Sequence, residues 1–380
     1  MPPIDYQQLT QQIKVWGAEL GFQQVGIADT DLSTYEPHFQ TWLDNGYHAD
    51  MDYMSRYGTM RTHPEELYPG TIRVISVRMD YLPPDALMAT TLKQKDKGYI
   101  SRYALGRDYH KIVRKRLKHL GDKISEYCET LDARPFVDTG PLLERPLAEK
   151  AGLGWTGKHS LILNKEAGSW FFLGEILINL PLPIDKPIEN QCGKCTACLQ
   201  ICPTQAIVEP YSVDANRCIS YLTIELFGPI PEQYRPLIGN RIYGCDDCQL
   251  ICPWNRFAAI TGEQDFHPRS NLHSPELLTL YGWDETYFLK QTEGSPIRRI
   301  GHERWLRNIS VALGNAAYST EIVTALEAKY PDTTAMVQEH ITWALQQQQA
   351  KADTIIPVLQ IDKTKDKLIR MVEKALPRDA

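Results

Sequence analysis

Residues 192–203 read CGKCTACLQICP and residues 245–253 read CDDCQLICP, with Cys218 standing between the two runs. Eight of the nine cysteines therefore lie between positions 192 and 252 of a 380-residue chain. A chain of that length buries ordinary hydrophobic cores and has no need of cysteines as staples for a tiny fold. The first residues, MPPIDY, lack the basic and apolar regions of an export signal. No apolar run approaches the roughly 18–20 residues that span a bilayer. The expectation is a cytoplasmic protein without membrane contact, where thiols stay reduced and clustered cysteines bind metal rather than pair.

The first run has the spacing C-x2-C-x2-C-x3-C-P of bacterial ferredoxins. In those proteins three thiolates hold one [4Fe–4S] cluster and the fourth reaches the other. The second run supplies Cys245, Cys248 and Cys252 only, and Cys218 can make up the missing ligand. Ferredoxin crossing then gives one cluster Cys192, Cys195, Cys198 and Cys252. The other takes Cys202, Cys218, Cys245 and Cys248. Structural zinc also uses paired C-x2-C knuckles, but three cysteines at two-residue gaps followed by Cys-Pro favour iron–sulfur. Cys128, on an apolar helix face, reads as a small core residue.

The rest of the chain divides around this stretch. Leu9, Ile13, Trp16 and Leu20 recur at helical spacing, and residues 25–28 and 71–79 read as strands. Residues 102–123 carry Arg102, Arg107, Lys111, Arg114, Lys115, Arg116, Lys118 and Lys123 against Asp108 and Asp122. Val113, Leu117, Leu120, Ile124 and Tyr127 make an apolar stripe through the same segment. Residues 134–137, 160–163 and 170–178 read as strands and 141–151 as a helix. Pro181, Pro183 and Pro187 mark a linker. Beyond Pro253, Trp305, Ile309 and Leu313, then Val337, Ile341 and Leu345, then Leu368, Met371 and Val372, predict helices. The expected class is α+β, with an N-terminal α/β domain (1–180), a ferredoxin-like domain (181–260) and a helical, HEAT-like region (261–380).

Two clusters move single electrons and leave an organic substrate untouched, so either the chain is a carrier or its N-terminal part holds a second cofactor. Gly152, Gly154 and Gly157 match G-x-G-x-x-G, with Glu175 downstream, but they follow a helix and precede a strand, the wrong order for a dinucleotide site. Asp108 and His110 begin a corrinoid-like D-x-H motif, and Val113 stands where its glycine belongs. Asp138 falls at a strand end, where a turn-capping carboxylate is the plain reading and a catalytic one the sharper. His159 reads as a satisfied structural histidine.

Residues 137–145 (VDTGPLLER), 151–160 (AGLGWTGKHS), 218–225 (CISYLTIE) and 243–254 (YGCDDCQLICPW) together resemble the tRNA epoxyqueuosine reductases, over most of the chain. That resemblance implies a cobalamin beside the clusters and a helical C-terminal part that helps hold a tRNA anticodon stem-loop. Asp138 matches the family's proton donor; Arg61, Ser101, Asp138, His159, Ser160 and Asp246 match cofactor-binding positions. Ser101 stands where some relatives have cysteine, which removes a thiol role there. Reducing an epoxide to an alkene takes two electrons and two protons and releases water. To deliver a proton near neutral pH, Asp138 is expected in a poorly solvated pocket that raises its pKa. The basic segments 102–123 and 296–308 (Arg298, Arg299, Arg304 and Arg307) are expected against RNA phosphates, although the net charge is −6. A flavodoxin or ferredoxin is the expected external electron donor and the protein is expected to act as a monomer. A ferredoxin-like carrier and a corrinoid reductase of a small molecule, akin to the reductive dehalogenases, are the rival readings.

Overall fold

The computed structural model describes residues 4–84 and 86–353. Helix α1 (Tyr6–Glu19) starts because Asp5 accepts hydrogen bonds from the backbone N–H groups of Gln7 and Gln8, and it buries Leu9 and Ile13. Strands β1 (Gln24–Ala28), β2 (Arg73–Asp80), β3 (Ala133–Phe136) and β4 (Phe171–Ile178) form one sheet in the order β1-β2-β4-β3. Every pairing in it is antiparallel. The N-terminal region is therefore α+β and not the α/β arrangement expected from its alternation of strands and helices.

Helices cover both faces of this sheet, which is why β2 and β4 are buried almost from end to end. Helix α2 (Tyr109–Tyr127) buries Val113, Leu117, Leu120 and Ile124 against Ile75, Val77 and Ile176 on one face. Tyr127, the last residue of the predicted stripe, is 46% exposed. Helix α3 (Glu144–Lys150) covers the opposite face, with Leu147 and Ala148 against Val74 and Leu177. Between α3 and β4 the chain forms a small hairpin, Trp155–Thr156 against Ile162–Leu163, in place of the longer strand expected at 160–163. A Cβ at Gly154 would lie 2.1 Å from the Leu163 carbonyl oxygen. Gly154→Ala is expected to cost at least the ~1–3 kcal/mol of ordinary overpacking, read as a lower urea midpoint at unchanged m-value.

The second half of the cysteine stretch shares its core with the C-terminal helices. Ile219, Leu222, Ile242 and Tyr243 pack with Ile100 and Ala104 and with Trp305, Ile309 and Leu313 of helix α4 (Gly301–Asn315). Helix α5 (Ala335–Ala352) adds Val337 and Ile341, while Leu345 is only partly buried. Leu250, Ala258 and Phe266 belong instead to the core under the N-terminal sheet. Neither 180 nor 260 is thus an edge between separate cores. The helix expected around Leu368, Met371 and Val372 lies outside the described residues.

Three of the basic residues expected at the surface are structural. Arg102 is 1% exposed, donates to the Ile100 carbonyl at 2.6 Å and lies over the Tyr99 ring. Arg307 is fully buried and donates to the carbonyls of Leu222, Leu226 and Gly228. Arg304 donates to those of Ile300, Ile224 and Arg299. Each carries charge into a place where loop carbonyls would otherwise lack donors. A charge count cannot distinguish this use from an RNA-facing one. Arg298 and Arg299 remain exposed, and Arg299 pairs with Glu225 at 2.7 Å.

Candidate active site and cysteine sets

Asp138 follows β3 and adopts φ +54°, a left-handed conformation that is unfavourable for a residue with a side chain. Local contacts hold it there. Its backbone N–H donates to Glu144 Oε1 at 2.5 Å, so the first residue of α3 latches the loop. The Tyr109 hydroxyl donates to Asp138 Oδ2 at 2.5 Å, and His110 Nε2 lies 3.4 Å from the same oxygen. His110 Nδ1 in turn meets Asp108 Oδ1 at 2.7 Å, and Asp108 caps α2 by accepting from the His110 N–H. The start of α2 thus delivers two adjacent side chains to the end of β3.

This geometry reverses the expected titration of Asp138. Burial pushes its carboxyl up, but hydrogen bonds from His110 and Tyr109 and the charges of His110 and Arg299 outweigh burial and hold it below the usual range. His110 moves the other way. Burial lowers its pKa, and the two flanking carboxylates, Asp108 and Asp138, overcome that and raise it to about 9. At neutral pH the proton in this pair sits on the imidazole. The expectation of a raised Asp138 pKa fails because nothing along the chain near residue 138 signals a cation beside it.

Asp138 is half exposed, with 56% of its side chain accessible, yet burial is the largest influence on it. Arg145 is likewise exposed, while desolvation depresses its guanidinium. Asp138 and Arg145 are thus reached by water yet crowded by protein, and they form one wall of the candidate site. Glu144 and Arg61 sit at the same place. Arg61 is buried; its guanidinium donates to the carbonyls of Tyr53 and Met54, and its own carbonyl accepts from the Leu143 N–H. Arg145 donates to the Ser160 carbonyl, bringing residues 157–160 to the rim. Glu175 on β4 points toward α3 from behind this wall. It is fully buried, and neither carboxylate oxygen meets strict hydrogen-bond geometry. Burial and then the charge of Glu144 push its pKa well up, and Glu144 itself is raised to about 7 by burial and by Asp138.

Ser101 and Asp246 are brought together, but away from open space. Asp246 is 1% exposed and accepts from the Ser101 hydroxyl, from Tyr99 Oη at 2.7 Å and from the Arg102 N–H at 2.9 Å. These bonds tie the 99–102 segment to the second cysteine run. Both side chains spend their polar atoms on each other, so they support a site from behind.

All nine cysteines are free thiols. Cys192, Cys195, Cys198 and Cys252 line one cavity of about 240 Å³, together with His159, Lys158, Trp254 and Arg256. Burial and the adjacent Cys192 and Cys195 raise Cys198 to about 11; burial raises Cys252 to about 12, with Cys192 and Cys198 adding to it. Cys248 is raised first by burial and then by Cys218 and Cys202. Cys218, likewise raised mainly by burial, also feels Cys202. Cys245 Sγ donates to Asp247. Each cysteine preceding a proline, Cys202 and Cys252, therefore stands with thiols of the opposite run. Among the described residues no three His, Cys, Asp or Glu side chains converge tightly enough for a single ion. Cys128 is buried in the core beside α2, as expected.

His159 lies in the cavity of the first cysteine set and is 3% exposed. Burial and the Arg145 charge depress its pKa to about 4, so it is neutral at physiological pH. Sequence alone does not single out Tyr109, His110, Glu144 and Glu175 as parts of one site. The only signal is the adjacency of Asp108, Tyr109 and His110 at a helix start, and the corrinoid motif they suggest is not what they build.

Comparison with known proteins gives these features a class. Residues 191–255 match the 4Fe-4S double cluster binding domain, and residues 61–139 match the family model Epoxyqueuosine reductase QueG, DUF1730. The fold and the cysteine sets thus define a redox protein of the double-cluster iron–sulfur class. The epoxyqueuosine reductase of Escherichia coli (strain K12) is 64% identical over 378 residues, covering 100% of this chain and 99% of that protein. Among solved structures, an epoxyqueuosine reductase with a tRNA-Tyr epoxyqueuosine-modified stem loop superposes with TM-score 0.82 at 26% identity, covering 98% of this chain and 100% of that one. The Bacillus subtilis enzyme, solved with its catalytic aspartate loop swung out of the active site, gives TM-score 0.82 at 25% identity over 98% of this chain and 100% of that one. The chain belongs to the epoxyqueuosine reductase family. Among the described residues no helix is long and apolar enough to cross a membrane.

Proposed function

We propose that this chain reduces epoxyqueuosine to queuosine at the wobble position of tRNA, with Asp138 as the group that hands a proton to the opening epoxide. The observation that carries the reading is the left-handed Asp138 loop, half exposed and held by Glu144, Tyr109 and His110. The relative from Bacillus subtilis is solved with its catalytic aspartate loop swung out of the active site. Here the loop is held chiefly by side chains, Glu144, Tyr109, His110 and Arg114, whose contacts can part without unravelling a strand or helix. The reaction needs two electrons and two protons and releases one water. The cysteine sets Cys192, Cys195, Cys198, Cys252 and Cys202, Cys218, Cys245, Cys248 would each hold a [4Fe–4S] cluster.

The residues around Asp138 fit a cobalamin, whose amide-fringed ring needs polar partners in a crowded, partly dry wall. Arg61, Glu144, Arg145 and the Ser160 backbone offer them, while Ser101 and Asp246 brace the adjoining segment. His159 belongs with the first cysteine cavity instead. When bound, cobalamin supplies a strongly reducing cobalt centre. The chain's own residues orient the substrate, exclude water and hold the proton at His110 and Asp138. A flavodoxin or ferredoxin would supply single electrons to a monomer, in a cytoplasm that keeps the nine thiols reduced. The test is anaerobic: reconstituted protein, chemical reductant and epoxyqueuosine-containing tRNA, with the product nucleoside read by mass. Unchanged substrate together with no corrinoid absorbance would overturn the reading.

The tRNA is expected along α2, where Lys111, Arg114, Lys115 and Lys118 are exposed and Arg114 donates to Thr139, the neighbour of Asp138. The C-terminal helices would hold the rest of the stem. Charge reversal of Lys111, Arg114 and Lys115 to Glu should weaken binding. It should also flatten the slope of log affinity against log salt by about 0.7–0.9 for each phosphate no longer neutralised. Binding that ignores salt would sink this placement.

A further inference from the structure

The two cysteine sets sit in opposite electrostatic surroundings. His159 Nδ1 accepts from the Leu161 N–H at 3.1 Å. The tautomer is thereby fixed, and the ring's hydrogen lies on Nε2. That Nε2–H is buried and has no hydrogen-bond partner among the described residues, and His159 is one of the residues lining the cavity with Cys192, Cys195, Cys198 and Cys252. A second buried donor without a partner, Trp155 Nε1, belongs to a side chain packed with Cys192, Cys252 and Trp254. Orphaned buried N–H groups are rare, and two beside the same thiols call for an acceptor. Positive charge is added by Lys158, whose Nζ donates at 2.8 Å to the carbonyls of Gly193 and Cys195, and by Arg256 on the cavity wall. No carboxylate lines this cavity among the described residues.

The second set has carboxylates for neighbours. Asp247 Oδ2 lies 2.7 Å from Cys245 Sγ. Arg241 grips both Asp247 oxygens at 2.6 Å. Asp214, paired with Arg217 at 3.0 Å, also acts on Cys218. Reducing a [4Fe–4S] cluster adds one negative charge. Hydrogen bonds to its sulfurs and nearby cations favour that change, and adjacent anions oppose it.

We propose that the first set, faced by His159 Nε2–H, holds the more easily reduced cluster and receives the electron first, while Asp247 keeps the second cluster at the lower potential. Of these eight cysteines Cys195, in the first set, is the exposed one, although Cys198 and Cys252 of the same set are buried and the second set is part-buried throughout. The first set then serves as the intake. The second, tied through Asp246 to Ser101 and the 99–102 segment, serves as the delivery end. Each step is a single one-electron reduction of a cluster, with the external one-electron carrier oxidised in turn.

The proposal rests on the eight-thiolate reading, and the test separates the two. Full-length protein is reconstituted anaerobically, its iron counted, and the reduced clusters followed by EPR during a dithionite potentiometric titration, with no tRNA present. Two signals of unequal midpoint are expected from eight irons per chain. His159→Phe should shift only the higher midpoint, to more negative values. His159→Gln, which keeps a donor, should restore most of it. Asp247→Asn should shift only the lower midpoint, to more positive values. Movement of the lower midpoint by His159→Phe, or of neither, overturns the proposal. Four irons or fewer in the wild-type chain would overturn the cysteine assignment beneath it.

Discussion

Asp138→Asn should lower turnover by about 10²–10⁴-fold, the usual worth of a positioned acid, with tRNA affinity unchanged. The more informative variant is its neighbour. Because His110 carries the proton at neutral pH, turnover should hold across neutrality and fall as pH rises through about 9, an apparent value that belongs to the pair. The groups that set it are Asp108 and Tyr109 from the start of α2, Glu144 from α3 and Arg299 from the segment before α4. His110→Phe removes the strongest opposition to burial, so the Asp138 pKa should rise and the alkaline fall should move well below 9. A pH profile unchanged by His110→Phe would show that Asp138 acts alone. Equal loss in Asp138→Asn and His110→Phe, with no further loss in the double variant, would show one proton unit.

Such a pair could not have been foreseen from spacing. The meeting of Cys192, Cys195 and Cys198 at one cavity was legible because order along a chain is itself the constraint: short gaps force three thiols toward one place. The strands at 71–79 and 170–178 and the stripe of α2 were legible because burial on a defined face leaves a period in the sequence. What was not legible depends on residues far apart meeting. Tyr109 and His110 reach Asp138 only because α2 crosses the sheet beside β3. Arg304 and Arg307 looked like phosphate contacts until their carbonyl partners were placed around them. His159 matched a corrinoid position by resemblance, yet its ring opens on the first cysteine cavity. The antiparallel sheet was missed because a strand buried on both faces reads like one from a parallel sheet.

The fully buried Glu175 gives the second large effect. Glu175 and Glu144 are carboxyls whose folded pKa values are raised, so they favour the folded state most below the unfolded value near 4.5, and that stability is lost as pH rises through the folded value. For Glu144 the window runs from about 4.5 to about 7, on the order of 3 kcal/mol at 1.36 kcal/mol per unit. Thermal unfolding should therefore show the protein less stable at pH 8 than at pH 5. Glu175→Gln should flatten that dependence, raising Tm at pH 8 far more than at pH 5. A Tm difference between the two pH values that Glu175→Gln leaves intact would mean that the pair does not carry it. Glu144 also reaches the active site, because it accepts from the Asp138 N–H, and a carboxylate accepts more strongly than a protonated acid. Glu175, itself kept protonated by burial, holds the Glu144 pKa down. Glu175→Gln keeps a neutral donor there and should leave amide exchange at Asp138 unchanged, whereas Glu144→Gln should speed it. The buried pair thus costs stability at neutral pH, and it does so at Glu144, the residue whose carboxyl also holds the backbone of Asp138 beside the His110 proton.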